Sequence, residues 1–195
     1  MAHIEVIPYE ESTGELKAIY DSLIATRGKL AEVHTIQSLN PATIVSHMNL
    51  YKDILFGQSP LKRYQWEMMA VIVSAANQCD YCVQRHREAL LHYWKDEHKV
   101  DLLIRQTDAA GLSEQDQKLC LFARDLSLNP ELSTLQKIEV LKGSGLTDRA
   151  ILDAPLVVAY FNFVNRIVLV SCQHGIVVSI KAPSYELRGL VAHSS

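Results

Sequence analysis

The chain has 195 residues, of which 48% are hydrophobic and 21% are charged, and its formal net charge is −3. This composition is typical of an ordinary soluble globular protein and excludes a disordered chain. The small negative charge argues against nucleic acid or an anionic membrane as a partner. The N-terminus also lacks the basic and apolar segments of a secretory signal, so we expect a cytoplasmic protein.

Helix start signals recur along the first half of the sequence. Ser12 and Glu15 have the spacing of a capping box, which predicts an amphipathic helix that ends near Gly28. Asn40-Pro41 combines a cap residue with proline at the first helical position. Ser59-Pro60 has the same chemistry and predicts that another helix begins with the following residue. The sequence therefore predicts three helices in this part of the chain.

The second half of the sequence continues the helical pattern, and strand-like alternation is almost absent. The predicted helices cover residues 79–94, 97–106, 112–129 and 132–141, and a long last helix is capped at 147–148. The most apolar stretch, Leu156 to Cys172, is interrupted by Asn162, Asn165 and Arg166. These polar residues favour a buried helix over a membrane span.

Together these elements predict an all-α fold of about eight helices joined by short loops. A single domain is expected over residues 1–170, with a short extended arm at its N-terminus. Residues 171–195 have no clear hydrophobic period and contain Ala182-Pro183-Ser184. An irregular C-terminal tail is therefore expected there.

One short stretch contains most of the reactive side chains. Cys79 and Cys82 lie three residues apart, and His86 follows four residues after the second cysteine. If a helix begins near Cys79, these three side chains share one face. The start of a helix favours a thiolate, because free backbone N–H groups and the helix dipole stabilise negative charge. A histidine one turn further on can take or return a proton.

Glu67 precedes this stretch by twelve residues and lies on the previous predicted helix. A tight connection around Asn77-Gln78 should make the two helices neighbours. In an antiparallel pair, Glu67 lies about as far before the turn as His86 lies after it. A carboxylate on this apolar segment is costly to bury alone, so pairing with His86 would satisfy it and provide a proton relay. The spacing equally allows Glu67 to face solvent.

The spacing of the two cysteines allows three interpretations. In a reducing compartment, a C-x-x-C pair is more often catalytic or metal-binding than a structural disulfide. The pair is thus a dithiol/disulfide redox centre, part of a zinc site with Cys79, Cys82 and His86 as ligands, or a pair of inert core residues. A structural zinc site needs four ligands, and no second Cys or His pair follows at a suitable spacing.

The remaining cysteines and histidines give weaker signals. Cys120 and Cys172 have no cysteine partner nearby in the sequence and are expected to pack as small hydrophobic residues. The other histidines, His34 and His47 among them, are scattered along the chain. We interpret them as surface or packing residues.

The reactive residues also match a known pattern. Glu67 is followed by eleven residues, then by Cys79-x-x-Cys82, then by three residues and His86. This pattern resembles that of the AhpD-like alkylhydroperoxidases, in the carboxymuconolactone decarboxylase-like superfamily. Residues 73–83 and 160–166 are similar to its peroxidase-related branch. The resemblance covers most of the chain, although the sequence after residue 166 departs from the family ending, and it implies an AhpD-like helical bundle that forms homo-oligomers.

Residue by residue, the resemblance implies that Cys82 is the peroxidatic cysteine and Cys79 the resolving cysteine. Glu67 and His86 would form the relay that deprotonates Cys82 and protonates the leaving group. Well-characterised members have a second histidine between the cysteines, where this chain has Tyr81. Tyrosine, with a reference pKa near 10, donates a hydrogen bond but is a poor base near neutral pH.

These observations predict a thiol-dependent peroxidase with an antioxidant role, which reduces a small-molecule peroxide and is recycled by an external dithiol. Tyr81 and Trp66 would line the substrate pocket or pack in the core. No nucleotide-binding glycine fingerprint is present, so we expect no bound cofactor, and no metal. The alternatives are a non-redox enzyme of the decarboxylase type, whose members generally lack the cysteine pair, and a redox-sensing oligomeric protein without rapid turnover.

Overall fold

The fold is all-α, as the sequence predicts. The structure, a computed structural model, describes residues 3–132 and 135–171, and this part of the chain contains nine α-helices and no strand. The helices are α1 (Gly14–Arg27), α2 (Glu32–Thr35), α3 (Pro41–Phe56), α4 (Arg63–Ala76), α5 (Asp80–Trp94), α6 (Glu97–Arg105), α7 (Glu114–Leu128), α8 (Leu135–Gly143) and α9 (Asp148–Ser171). From residue 172 onward, the predicted irregular tail and Cys172 lie outside the described residues.

Two predicted helix starts are shifted by local hydrogen bonds. The hydroxyl of Ser12 donates to the carbonyl oxygen of Tyr9 at 2.6 Å, so it closes a 3-10 turn instead of capping α1, which begins at Gly14. Ser59 accepts from the amide of Leu61 and donates to Asp153 at 2.6 Å. Helix α4 consequently begins only at Arg63.

Other helix ends agree with their sequence signals. Gly28 ends α1 in the left-handed region at φ +74°, where a residue with a Cβ would be strained. Pro41 occupies the first position of α3, after Asn40. The four-residue helix α2 is the one that the sequence does not predict, because it is too short to show a hydrophobic period.

Helix α4 forms the centre of the core. It packs against α5, α7 and α9, and every residue from Met68 to Val73 is at most 6% exposed. A helix that is apolar on all sides is stable only when other elements surround it. Helices α5, α7 and α9 are therefore arranged around α4.

Helix α9 crosses the domain beside α4. By length and composition its segment Asp148–Val170 could span a membrane, and half of its most apolar window is buried inside the domain. Ala154, Val157 and Val158 are fully buried in the core, and so is the polar side chain of Asn165. These contacts are those of a core helix.

A second cluster joins α2, α3 and α9 through two buried histidines. His34 and His47 are 3% and 4% exposed, so both are packing residues. The Nε2 atom of His47 lies 2.8 Å from the hydroxyl of Tyr160, and its Nδ1 atom lies 2.9 Å from Nε2 of Gln37. Burial lowers the pKa of each histidine to about 4, and nearby Arg27 adds to this effect.

These two histidines should make the stability of the domain depend on pH. Their folded pKa of about 4 is below the unfolded value of about 6.5, so the unfolded chain binds more protons between these pH values. The contribution of each histidine to the free energy of unfolding should be complete above pH ~6.5 and should be lost as the pH falls toward 4. The loss should be on the order of 3 kcal/mol per histidine. Urea unfolding between pH 4.5 and 7.5 measures this loss.

The matched variants are His34→Gln, in the buried cluster, and His92→Gln, on the exposed surface of α5. The first should lose less stability on acidification than the parent protein, because one titrating group is gone. The second should follow the parent. Equal pH dependence in all three proteins would contradict the burial argument.

Candidate functional site

Cys79 and Cys82 are joined by a disulfide bond at the start of α5. Cys79 is the N-cap residue, and its carbonyl oxygen accepts a hydrogen bond from the amide of Val83. Cys82 lies in the first turn of the helix, and the two Cα atoms are 5.3 Å apart. The predicted helix start is therefore correct, and it places the two sulfurs side by side.

The disulfide is buried under a small apolar cluster. Cys79 and Cys82 are 1% and 3% exposed. The side chains packed around them come from three helices and are Val33, Tyr81, Val164, Val168 and Leu169. This shell shields the sulfurs from bulk water, so a reactant in solution reaches them only when the shell opens.

Glu67 and His86 form a hydrogen-bonded pair between α4 and α5. The Oε2 atom of Glu67 lies 2.9 Å from Nδ1 of His86, and the two side chains are 16% and 21% exposed. This is the contact that the antiparallel arrangement of the two helices predicts. The edge of the Phe161 ring packs against the imidazole, with ring centroids 4.5 Å apart, and further restricts its orientation.

This geometry determines which nitrogen of His86 can exchange a proton. A carboxylate has only acceptor atoms, so Nδ1 of His86 donates to Glu67. The lone pair of the neutral imidazole is then on Nε2, and the carboxylate stabilises the imidazolium that forms when Nε2 takes a proton. His86 follows Cys82 by one turn of the same helix, so both side chains lie on one face. The relay role of the pair stays a prediction.

The two residues predicted to line a pocket lie in different places. Tyr81 is half-buried beside the disulfide, and the guanidinium of Arg85 lies 5.4 Å from the centre of its ring. Trp66 is buried in the main core around α4, where the guanidinium of Arg63 lies 4.5 Å from its ring. The structure thus places Tyr81, but not Trp66, in the shell around the sulfurs.

A polar network that the sequence does not predict holds the turn before Cys79. The side-chain nitrogen of Asn77 donates to the amide oxygens of Asn162 and Asn165, at 3.0 Å in each case. Asn165 in turn donates to the hydroxyl of Ser74 at 3.3 Å. Asn165 stands out in the sequence as a polar residue of an apolar helix, but its partners are about 90 residues away.

The orientation of these amides follows from one backbone carbonyl. The Nδ2 atom of Asn162 lies 2.9 Å from the carbonyl oxygen of Val158, which can only accept. The oxygen of Asn162 therefore faces Asn77, so the amide nitrogen of Asn77 is the donor to both Asn162 and Asn165. All four polar side chains of the network then have complementary partners, as buried polar groups require.

The residues around the disulfide do not form a preorganised metal site. Within residues 3–132 and 135–171, no group of three His, Cys, Asp or Glu side chains is arranged to hold a metal ion. The two cysteines are bonded to each other, and Nδ1 of His86 is engaged by Glu67. The free thiol of Cys120 is buried in the main core, and burial raises its pKa, so it is unreactive.

Comparison with known proteins agrees with this geometry. The sequence profile of the carboxymuconolactone decarboxylase family matches residues 46–125. An uncharacterized peroxidase-related protein from Silicibacter sp. is 25% identical and has a TM-score of 0.71, over 84% of this chain and 83% of that one. The comparison with curated protein sequences finds no match.

Two further solved structures share the fold at lower identity. A peroxidase-related protein from Ralstonia eutropha, described as an alkylhydroperoxidase AhpD core, is 20% identical with a TM-score of 0.77, over 87% of this chain and 90% of that one. The debrominase Bmp8 is 20% identical with a TM-score of 0.64, over 78% and 81% of the two chains. Proteins of this fold thus include enzymes.

The shell around the disulfide should control how fast the sulfurs are reduced. Val168 is 6% exposed and packs on the disulfide, so Val168→Ala should open the shell and speed reduction by dithiothreitol several-fold. The control is Val157→Ala, in the main core of the same helix. Both changes should lower the free energy of unfolding by about 2 kcal/mol. The rates are measured by release of free thiol. Equal reduction rates in the two variants would show that the shell does not control reduction of the disulfide.

Proposed function

We propose that the chain is a thiol-dependent peroxidase of the superfamily that contains the AhpD-like alkylhydroperoxidases and the carboxymuconolactone decarboxylases. One observation supports this proposal most. A disulfide at a helix start lies one turn before a histidine whose other nitrogen is held by a carboxylate. The same elements, a nucleophile, a base and a group that orients the base, recur in enzymes that use covalent catalysis.

In the first step, the thiol of Cys82 loses its proton to Nε2 of His86. The thiolate attacks the terminal oxygen of a hydroperoxide, the O–O bond breaks, and sulfur gives two electrons to the peroxide. Cys82 becomes a sulfenic acid. The released alkoxide takes the proton from the imidazolium of His86, which Glu67 has stabilised.

In the second step, the sulfur of Cys79 attacks the sulfur of the Cys82 sulfenic acid. An S–S bond forms, hydroxide leaves, and the proton of the Cys79 thiol converts this hydroxide to water. The product is the disulfide seen in the structure. An external dithiol then returns both cysteines to thiols by thiol–disulfide exchange, and is itself oxidised to a disulfide.

Tyr81 gives this site a simpler proton path than a site with two histidines. Its hydroxyl is a poor base near neutral pH, so His86 serves both proton transfers. We assign Tyr81 the role of a wall beside the sulfurs, with Arg85 over its ring. The protein would work in the reducing cytoplasm, where dithiols are available, and as a homo-oligomer.

A redox sensor without rapid turnover is the second candidate function. The burial of both sulfurs favours it, because a shielded disulfide is reduced slowly and so keeps a record of oxidation. Comparing one cycle of oxidation with turnover in the presence of excess dithiol separates the two functions. A fast single cycle followed by slow turnover would identify a sensor.

The identity of the nucleophile is tested by Cys82→Ser. We expect this variant to lose thiol-coupled reduction of cumene hydroperoxide, because it has no sulfur that can accept the peroxide oxygen. Cys120→Ser should keep the activity of the parent protein, since that thiol is buried in the core. Full peroxide turnover by Cys82→Ser would show that the protein is not a peroxidase of this type.

The relay is tested by Glu67→Gln. The glutamine oxygen still accepts from Nδ1 of His86, but it has no charge to stabilise the imidazolium. Sulfenic acid formation at Cys82 should slow by about tenfold to a hundredfold at neutral pH. Stopped-flow measurement of this step across pH 5–9 records the change.

The control for the relay is Glu88→Gln, the same chemical change on the exposed surface of α5, where Glu88 accepts from Gln84. It should leave both the rate and its pH dependence unaltered. If Glu67→Gln also behaves as the parent protein does, Glu67 takes no part in proton transfer.

A further inference from the structure

We propose that Asn165 is a positioning residue that holds Cys79 in place for disulfide formation. This inference rests on the proposed function, because it concerns the second step of the same site. Asn165 does not contact either sulfur in the structure. It acts through the turn between α4 and α5, which carries Cys79.

Asn165 contacts two residues at the α4 end of this turn. Its side-chain oxygen accepts from Asn77 at 3.0 Å, and its nitrogen donates to the hydroxyl of Ser74 at 3.3 Å. The carbonyl oxygen of Ser74 accepts from the amide of Cys79 at 3.0 Å. One fully buried side chain of α9 is thus linked to the cysteine backbone by two successive hydrogen bonds.

The turn needs such support because its own backbone is unfavourable. Gln78 has a φ of +56°, a left-handed conformation that a residue with a Cβ adopts at a cost. This conformation lets the chain reverse within three residues and begin α5 at Asp80. The bonds to α9 hold Asn77, directly before Gln78, and Ser74, whose carbonyl oxygen accepts from the amide of the residue directly after Gln78.

The same helix also fixes the sulfurs. Val168 lies one turn after Asn165 on α9 and packs on the disulfide, and Val164 lies beside it. Asn165 therefore sets the backbone of the turn while its neighbours on α9 set the position of the sulfur atoms. Movement of the turn relative to α9 changes where Cys79 points.

This position matters most for the second chemical step. The sulfur of Cys79 must reach the sulfur of the Cys82 sulfenic acid in line with the leaving hydroxide. Holding two reacting groups in the correct geometry gives a high effective concentration, and a displacement of about 1 Å can cost about a hundredfold in rate. The first step uses only Cys82, His86 and Glu67, so it does not depend on Asn165.

The test is Asn165→Ala, with two measurements. First, the equilibrium between dithiol and disulfide is measured in mixtures of reduced and oxidised dithiothreitol. We expect the equilibrium constant for the disulfide to fall by about tenfold or more. Second, sulfenic acid formation and its conversion to disulfide are timed separately after addition of a peroxide. The conversion should slow by a similar factor, while sulfenic acid formation keeps its rate.

Two further variants complete the experiment. Asn77→Ala removes the same contact from the half-buried side of the turn, so it tests the inference even if Asn165→Ala does not fold. Asp116→Ala is the control, because this buried residue joins α4 to α7 through Tyr64 and Gln65, at the other end of α4. It should lower the stability of the domain without changing the disulfide equilibrium.

Two results would overturn the inference. An unchanged disulfide equilibrium in a folded Asn165→Ala or Asn77→Ala would show that the asparagines only stabilise the domain. An equal change in Asp116→Ala would show that any loss of stability has the same effect. The dithiothreitol measurement uses no peroxide, so it remains decisive if Cys82→Ser shows that the proposed peroxidase activity is wrong.

Discussion

The enclosure of α4 is the constraint on which the site depends. Its residues from Met68 to Val73 are surrounded by α5, α7 and α9, so the helix has almost no solvated side. A carboxylate on such a helix needs a partner, because removing its charge from water is costly. Glu67 lies at the start of the enclosed segment, and His86 of the antiparallel neighbour provides that partner. The same packing that forms the core thus also orients the imidazole.

The enclosure has a second consequence at the end of α4. The turn that follows has an exposed tip at Gln78, but Ser74 and Cys79 on its two sides are buried, and buried polar groups must find hydrogen-bond partners in the protein. Asn77 and Ser74 find them on Asn165 of α9. A polar residue in the most apolar helix of the chain is explained by this demand. The helix that completes the core therefore also supports the backbone that leads to the disulfide.

Local sequence signals were sufficient for most of the fold. Prolines, capping residues and Gly28 indicate where helices begin and end because their preferences act within one turn. The signals fail where a side chain is used for something else. Ser59, for example, binds Asp153, which is 94 positions later in the chain. For that reason α4 begins at Arg63, two residues later than the sequence predicts.

The site divides in the same way between local and distant contacts. The common face of Cys79, Cys82 and His86 follows from the period of one helix, and Glu67 is reached across one short turn. The pairs Asn77–Asn165 and His47–Tyr160 join residues 88 and 113 positions apart. No periodicity in the sequence specifies such pairs, so their residues look like isolated polar side chains until the helices are packed.

The helices that form the shell over the disulfide differ in how firmly they are held in the domain. Helix α9 is anchored along its length in the core. Helix α2 has four residues and contributes Val33. A helix of this length has little stability of its own, and Gln37 supports it by donating to the carbonyl oxygen of Val33 at 2.8 Å while contacting His47. Displacing α2 would uncover Val33 and the buried side chain of His34, whereas displacing α9 would disrupt the main core.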